Sequence, residues 1–160
     1  VGVGPVAVAE YLDRAQITLK QNNALTIDEY HRWGEPLSTG ITRVLLSELA
    51  VNLDSQNLVQ FPWRADQVPD LRLKMHVLEL NREGSNAVIK ASWSIGEIDS
   101  GEQLQQGVEI VRTPLANQDY VELVAGYSHL LEELAKRISV HVHSASEYFV
   151  RSRVESPLRQ

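Results

Sequence analysis

Cysteine is absent from this chain. That removes disulfide frameworks, thiolate zinc sites and cysteine nucleophiles together, and leaves cysteine usage silent on redox compartment. Positive charge is scarce: the formal net charge is -6, which disfavours a nucleic-acid binder, since such a protein needs a basic stripe to displace counterions. Nothing approaches the ~18 consecutive apolar residues of a membrane-spanning helix. The only methionine is Met75 and the sequence opens on Val1, so the natural start, with any targeting segment, is expected upstream. Catalytic signatures are missing as well. There is no Walker-type loop, no H-E-x-x-H and no calcium-loop spacing, and Ser128 lies in no G-x-S-x-G elbow. Gly2-Val3-Gly4 has neither the third glycine nor the following helix of a phosphate loop.

What is present is ordinary globular material. In 160 residues, 43% are apolar and 22% charged, enough for one core-bearing domain and too apolar for a disordered chain. The stretch Tyr30 to Leu53 organises the rest. Glu35-Pro36 reads as a helix start, with proline at the first helical position. Leu37, Ile41, Val44, Leu45, Leu49 and Leu53 then recur at three- and four-residue steps, one stripe of an amphipathic helix. A single such helix cannot cover its own stripe, so it must lie on a sheet.

Along the chain, Val1 to Ala9 reads as a strand, placed at an edge or carrying a bulge because Pro5 cannot donate to a ladder. Glu10 to Arg14 reads as a turn. Gln16–Lys20 and Ala24–Ile27 flank Gln21-Asn22-Asn23 as a hairpin, and Asn57–Phe61 is a short strand closed by Pro62. Leu71, Leu73, Met75 and Val77 alternate with polar residues. So do Ala87, Ile89, Ala91, Trp93 and Ile95, and more weakly Leu104, Val108 and Ile110, which gives an antiparallel meander with one buried face. Asp119 and Glu122 resemble a capping box opening a second helix, whose stripe runs from Tyr120 through Ile138 and is expected to end near His141. The fold class is therefore α+β: a mainly antiparallel sheet with two amphipathic helices packed on one face. One domain is expected over residues 1–143. The tail, residues 144–160, carries Tyr148-Phe149-Val150 and is expected either to fray or to dock on a partner.

Histidine and carboxylate patterns do not assemble a reaction centre. His141-Val142-His143 has strand-ligand spacing but falls at a helix end, where residues two apart diverge and imidazolium suits the dipole. His76 sits on the wet face of its strand, and His129 is only a sequence neighbour of Ser128. His31 is the best placed, beside Tyr30, Glu29 and Arg32. Glu132-Glu133 read as a hydrated face with Lys136 and Arg137. A metal or glycosidase role for Asp28-Glu29 needs further convergent acids. No catalytic, cofactor-binding or metal-ligating residue is assigned. The aromatics offer more. Trp93 is in phase with the core. Trp33 and Trp63 sit in loops beside arginines, either anchoring those loops or forming a contact surface, for which tryptophan, tyrosine and arginine are the favoured residues. Tyr30, His31, Arg32, Trp33, Trp63 and Arg64 are the candidate partner contacts.

The order V-G-P-V…V-A-E-Y-L-D-R-A-Q-I (Val3 to Ile17), E-Y-H-R-W-G-E-P-L (Glu29 to Leu37) and V-Q-F-P-W-R (Val59 to Arg64) resembles the PqiC-type ABC-transport auxiliary lipoproteins. The resemblance continues through the strand with Trp93 and the Asp119-Tyr120 helix start, covering Val1 to Ile138. It implies a Gram-negative envelope protein at the periplasmic face of the outer membrane, tethered through a lipidated cysteine that this sequence lacks. It also implies an MCE-domain protein and an inner-membrane component as partners in lipid transport or envelope integrity, and no catalytic residues. The leading expectation is thus a non-enzymatic accessory subunit acting by docking, for which a homo-oligomer is one available arrangement. Its rival is a periplasmic carrier holding a lipid or other hydrophobic molecule between sheet and helices. A hydrolase using His31 or His129 is a third reading and lacks a convergent nucleophile.

Overall fold

The computed structural model describes residues 1–21, 24–54 and 57–155. In chain order the elements are β1 (Gly2–Val8), β2 (Gln16–Gln21), β3 (Ala24–Arg32), α1 (Leu37–Asn52), β4 (Val59–Gln60), β5 (Leu71–Glu83), β6 (Asn86–Glu97), β7 (Gln103–Pro114) and α2 (Tyr120–Glu155). Five strands form one mixed sheet in the order β4-β1-β5-β6-β7, while β2 and β3 pair only with each other. The α+β class and the antiparallel β5-β6-β7 meander follow from the alternation of the sequence. Both helices cover one face, α1 over β1 and α2 over β6 and β7. Leu45, Leu49, Ile95, Leu130 and Leu134 are fully buried between the layers.

Several expectations are corrected. β1 is not an edge strand: it runs parallel to both β4 and β5, and its register slips between Val3 and Val6. The bulge, the other alternative left by Pro5, is what spares the ladder a missing donor. Pro36 caps α1 from outside instead of occupying its first turn. At the start of α2, the Glu122 carboxylate accepts from the Ala116 amide at 2.8 Å, and the Asp119 amide donates to Asn117 at 2.8 Å. The capping box is thus replaced by bonds inside the preceding turn.

On β7, Val108 and Ile110 point away from the helices and are exposed, while Val111 is the buried residue. Gly107 faces inward because the Trp93 indole fills the space its side chain would take; an added Cβ there lies 2.9 Å from the ring.

The largest correction concerns α2, which runs on past His141 to Glu155. Val142 and Ala145 are buried, and Arg153 reaches Glu97 at 2.9 Å, so the segment keeps core contacts that a fraying tail lacks. Asn22 and Asn23 of the hairpin turn, and residues 156–160, lie outside the described residues. Among the described residues no helix is long and apolar enough to cross a membrane.

Candidate functional site

The β2–β3 hairpin is built around an irregularity. Arg32 pairs with Gln16, but the next ladder pair is Ile27 with Thr18, so residues 28–31 loop out opposite a single residue. A bulge of this kind leaves backbone amides without strand partners. Asp28 supplies them: Oδ1 accepts from the Tyr30 amide at 2.8 Å and the His31 amide at 3.0 Å, the local turn geometry that aspartate side chains favour. Its other oxygen faces His31 Nδ1 at 3.0 Å, and the Tyr120 hydroxyl donates to the same carboxylate. The His31 ring stacks on the Tyr120 ring, centroids 4.0 Å apart and planes 11° from parallel. Tyr120 opens α2, so Asp28 and His31 latch the hairpin to the helix layer. The Tyr120 hydroxyl, followed by the backbone and imidazole donors, holds the Asp28 carboxyl well below the usual carboxylate range. Burial first, then Asp28, pushes the Tyr120 phenol up to about 12. Nearby, the buried Arg82 guanidinium donates to Gln118 Oε1 at 2.9 Å and Gln118 O at 2.8 Å.

Beyond this latch the outer surface of β3 is open. Tyr30 is 94% exposed, and Leu25 and Ile27 are exposed as well. One edge of β3 bonds to β2, and the other has no strand partner among the described residues. Leu25 and Ile27 were outside the sequence-based candidate set; their alternation with Thr26 was visible, but which face it would leave uncovered was not.

The six candidate contacts separate into two groups. Tyr30, His31 and Arg32 end β3, and Trp33 follows with its amide bonded to Ala15 O at 2.7 Å. The Trp33 ring turns inward against Tyr127, centroids 6.1 Å apart. There it walls an apolar groove of about 470 Å³ between α1 and α2, with Ile41, Val44, Leu80 and Leu131 among its lining. Trp63 instead packs over Gly2 and Pro69, edge-on to Phe61 at 5.1 Å, and Arg64 pairs with Asp66 at 3.3 Å with both side chains exposed. Leu80 beside Trp33 and Leu71 next to Pro69 are nine residues apart on β5, roughly 30 Å. These two groups occupy opposite ends of the sheet.

The remaining histidines are dispersed. His141 packs on Trp93 with centroids 4.5 Å apart and contacts Gln105 at 3.2 Å. His143 faces Glu147 at 3.6 Å, and His129 faces Glu132 at 3.4 Å. Among the described residues no three histidine or acidic side chains converge as a metal site would require.

Comparison with known proteins follows from this geometry. The family described as the ABC-type transport auxiliary lipoprotein component has a model that matches residues 1–139. No curated protein matches the chain. Among solved structures, protein XCC0632 from Xanthomonas campestris is 13% identical, with a TM-score of 0.78 over 94% of this chain and 86% of that one. An uncharacterized protein is 19% identical, with a TM-score of 0.74 over 88% and 89% of the two chains. The hypothetical protein CT253 from Chlamydia trachomatis is 14% identical, with a TM-score of 0.52 over 89% of this chain and 97% of that one. At these identities the likeness is one of fold.

Proposed function

The chain belongs to the ABC-type transport auxiliary lipoprotein components, and from that premise we propose that it is a non-catalytic subunit of a trans-envelope, MCE-linked lipid transport system. It acts by docking at the periplasmic face of the outer membrane. The observation that carries this reading is β3, which combines an open backbone edge with exposed Leu25, Ile27 and Tyr30. Unpaired strand edges recruit a strand from a partner, and the alternate side chains supply specificity. The Asp28–His31–Tyr120 latch supports the role by fixing the hairpin before a partner arrives, so less ordering entropy opposes association.

The parallel pairing of β1 with β5 supports one orientation for this role. A lipidated cysteine preceding β1 tethers the Trp63–Arg64 end toward the membrane, and the hairpin end, with Tyr30 to Arg32, faces the periplasm and the MCE-domain partner. In this scheme Trp63 and Arg64 contact the anchored side and Trp33 stabilises the loop from the hairpin into α1. The test is co-purification from envelopes containing the full-length lipidated protein. An MCE-domain protein is recovered with the natural sequence and reduced about tenfold or more by Leu25→Ser with Tyr30→Ala, as expected for a lost aromatic anchor. Equal recovery with the altered protein, its melting unchanged, overturns the assignment to β3.

A carrier is the second reading, favoured by the apolar groove between α1 and α2, whose volume falls in the range of small-molecule sites. Native mass spectrometry separates the two: lipid retained by the natural protein and lost from Ile41→Trp supports the carrier, and mass corresponding to the bare chain counts against it.

A further inference from the structure

The sheet face opposite the helices carries a second feature that docking through β3 leaves unused. Along the first half of β5 the outward side chains are Arg72, Lys74 and His76, successive positions about 7 Å apart. Lys74 lies across from Ser94 and His76 from Ser92. On the next strand Ser94 meets Gln106 and Ser92 meets Val108. Lys74, His76 and the two serines help line a groove of about 720 Å³, and no carboxylate lines it.

An antiparallel sheet with one wet face needs no ligand to explain polar residues there. The pairing of the charges is what sets this region apart. Further along the same face, Lys90 is matched by Glu79 at 4.0 Å and Arg112 by Glu83 at 3.6 Å. The side chains of Arg72, Lys74 and His76 make no ion pair or hydrogen bond among the described residues, and the hydroxyls of Ser92 and Ser94 are likewise unengaged. In a chain of net charge -6, Lys74 and His76 beside two hydroxyls in a groove without carboxylates form a local exception. The acids nearest this row, Glu97 and Glu102, border a smaller pocket shared with Arg72, Lys74 and Ser94, where Glu97 is already engaged by Arg153 and Ser100. Two strands away, roughly 10 Å across the sheet, Val108 and Ile110 are exposed on the same face and give the cationic row an apolar margin.

We propose that this groove binds a phosphate-bearing ligand, its oxyanion held by Lys74, His76 and the hydroxyls of Ser92 and Ser94. Such donors make charge-assisted hydrogen bonds that tetrahedral oxyanions satisfy several at a time. Any apolar part of the ligand lies across β6 onto Val108 and Ile110. The shared chemistry is the phosphate, whether carried by a lipid headgroup or free in solution.

The test is a nuclear magnetic resonance titration of the isotope-labelled chain, at constant ionic strength, with inorganic phosphate, glycerol phosphate and short-chain phosphatidylglycerol below its micelle concentration. Saturable shifts centred on Lys74, His76, Ser92 and Ser94 are expected. Affinity falls about tenfold or more in Lys74→Gln and in the Ser92→Ala, Ser94→Ala double variant, and is unchanged in Lys136→Gln, an exposed control on α2. Melting temperatures read alongside separate lost binding from lost folding. Tighter binding of phosphatidylglycerol, with added shifts at Val108 and Ile110, identifies a lipid headgroup; equal binding of inorganic phosphate identifies the free ion. The proposal is overturned by the absence of saturable shifts on this face, by shifts confined to the α1–α2 groove, or by an acidic peptide binding as well as the phosphates.

Discussion

The Asp28 carboxylate accepts from two backbone amides, an imidazole and a phenol, so its charge is stabilised in the folded chain and not in the unfolded one. Its folded pKa is depressed below the unfolded value of about 4. The contribution to stability is therefore full above about pH 4 and is lost as pH falls below it. Urea midpoints measured from about pH 6 to pH 2 should show the natural protein more stable than Asp28→Asn at the upper end, with the gap closing through the acid limb. Parallel curves for the two proteins contradict the latch. Glu97, also depressed by Ser100 and then Arg153, is common to both proteins and cancels in the difference. Gly107 makes a steric prediction. An alanine there sets its Cβ 2.9 Å from the Trp93 ring, and Trp93 is only 5% exposed. Overpacking of this kind costs about 1–3 kcal/mol, so Gly107→Ala should lower the melting temperature and alter the near-ultraviolet signal of Trp93. An unchanged melt means the ring has room to yield.

Among the elements, α2 shows how magnitudes rank competing contacts. Arg153 pairs with Glu97 and sits over the Phe149 ring at 4.4 Å, but its side chain is about half exposed, and exposed ion pairs contribute roughly 0–1 kcal/mol. The same last turns bury Ala145 and bond Ser144 to Gln105 at 3.3 Å. Deleting residues 144–160 should therefore cost more, about 1–3 kcal/mol, than Arg153→Ala, a ranking that paired thermal melts can check. Equal effects would mean the ion pair is what holds the helix end. The sequence concealed this length because His141-Val142-His143 resembles a terminus with cations on the helix dipole. In the fold His141 is a packing residue on Trp93. β5 and β6 were readable because their alternation is clean and one face is buried. β7 was misread at Val108 and Ile110, whose apolar character suggested the core although the space inside belongs to Trp93. The parallel placement of β1 between β4 and β5 had no local signature, because strand partners far apart in sequence are chosen by tertiary packing. Trp33 and Trp63 look equivalent as loop residues beside arginines, yet they lie at opposite ends of β5. The Asp28–Tyr120 bond joins residues too distant in sequence for any spacing rule to pair.

At the scale of the whole molecule, the surface divides into functional directions. Helices cover one sheet face, the other carries the acid-free groove, Trp63 lies at the end where β1 begins, and the hairpin lies toward the opposite end. This polarity suits a lipoprotein subunit that bridges a membrane on one side and a protein partner on the other. The most direct measurement is site-specific photo-crosslinking in cells carrying the full-length lipidated protein, with the reactive group placed at Tyr30 or, for comparison, at Val140, which is 67% exposed on α2. The account predicts an adduct with an MCE-domain protein from position 30 and none from position 140. No adduct at position 30, or an adduct from position 140 alone, would contradict it.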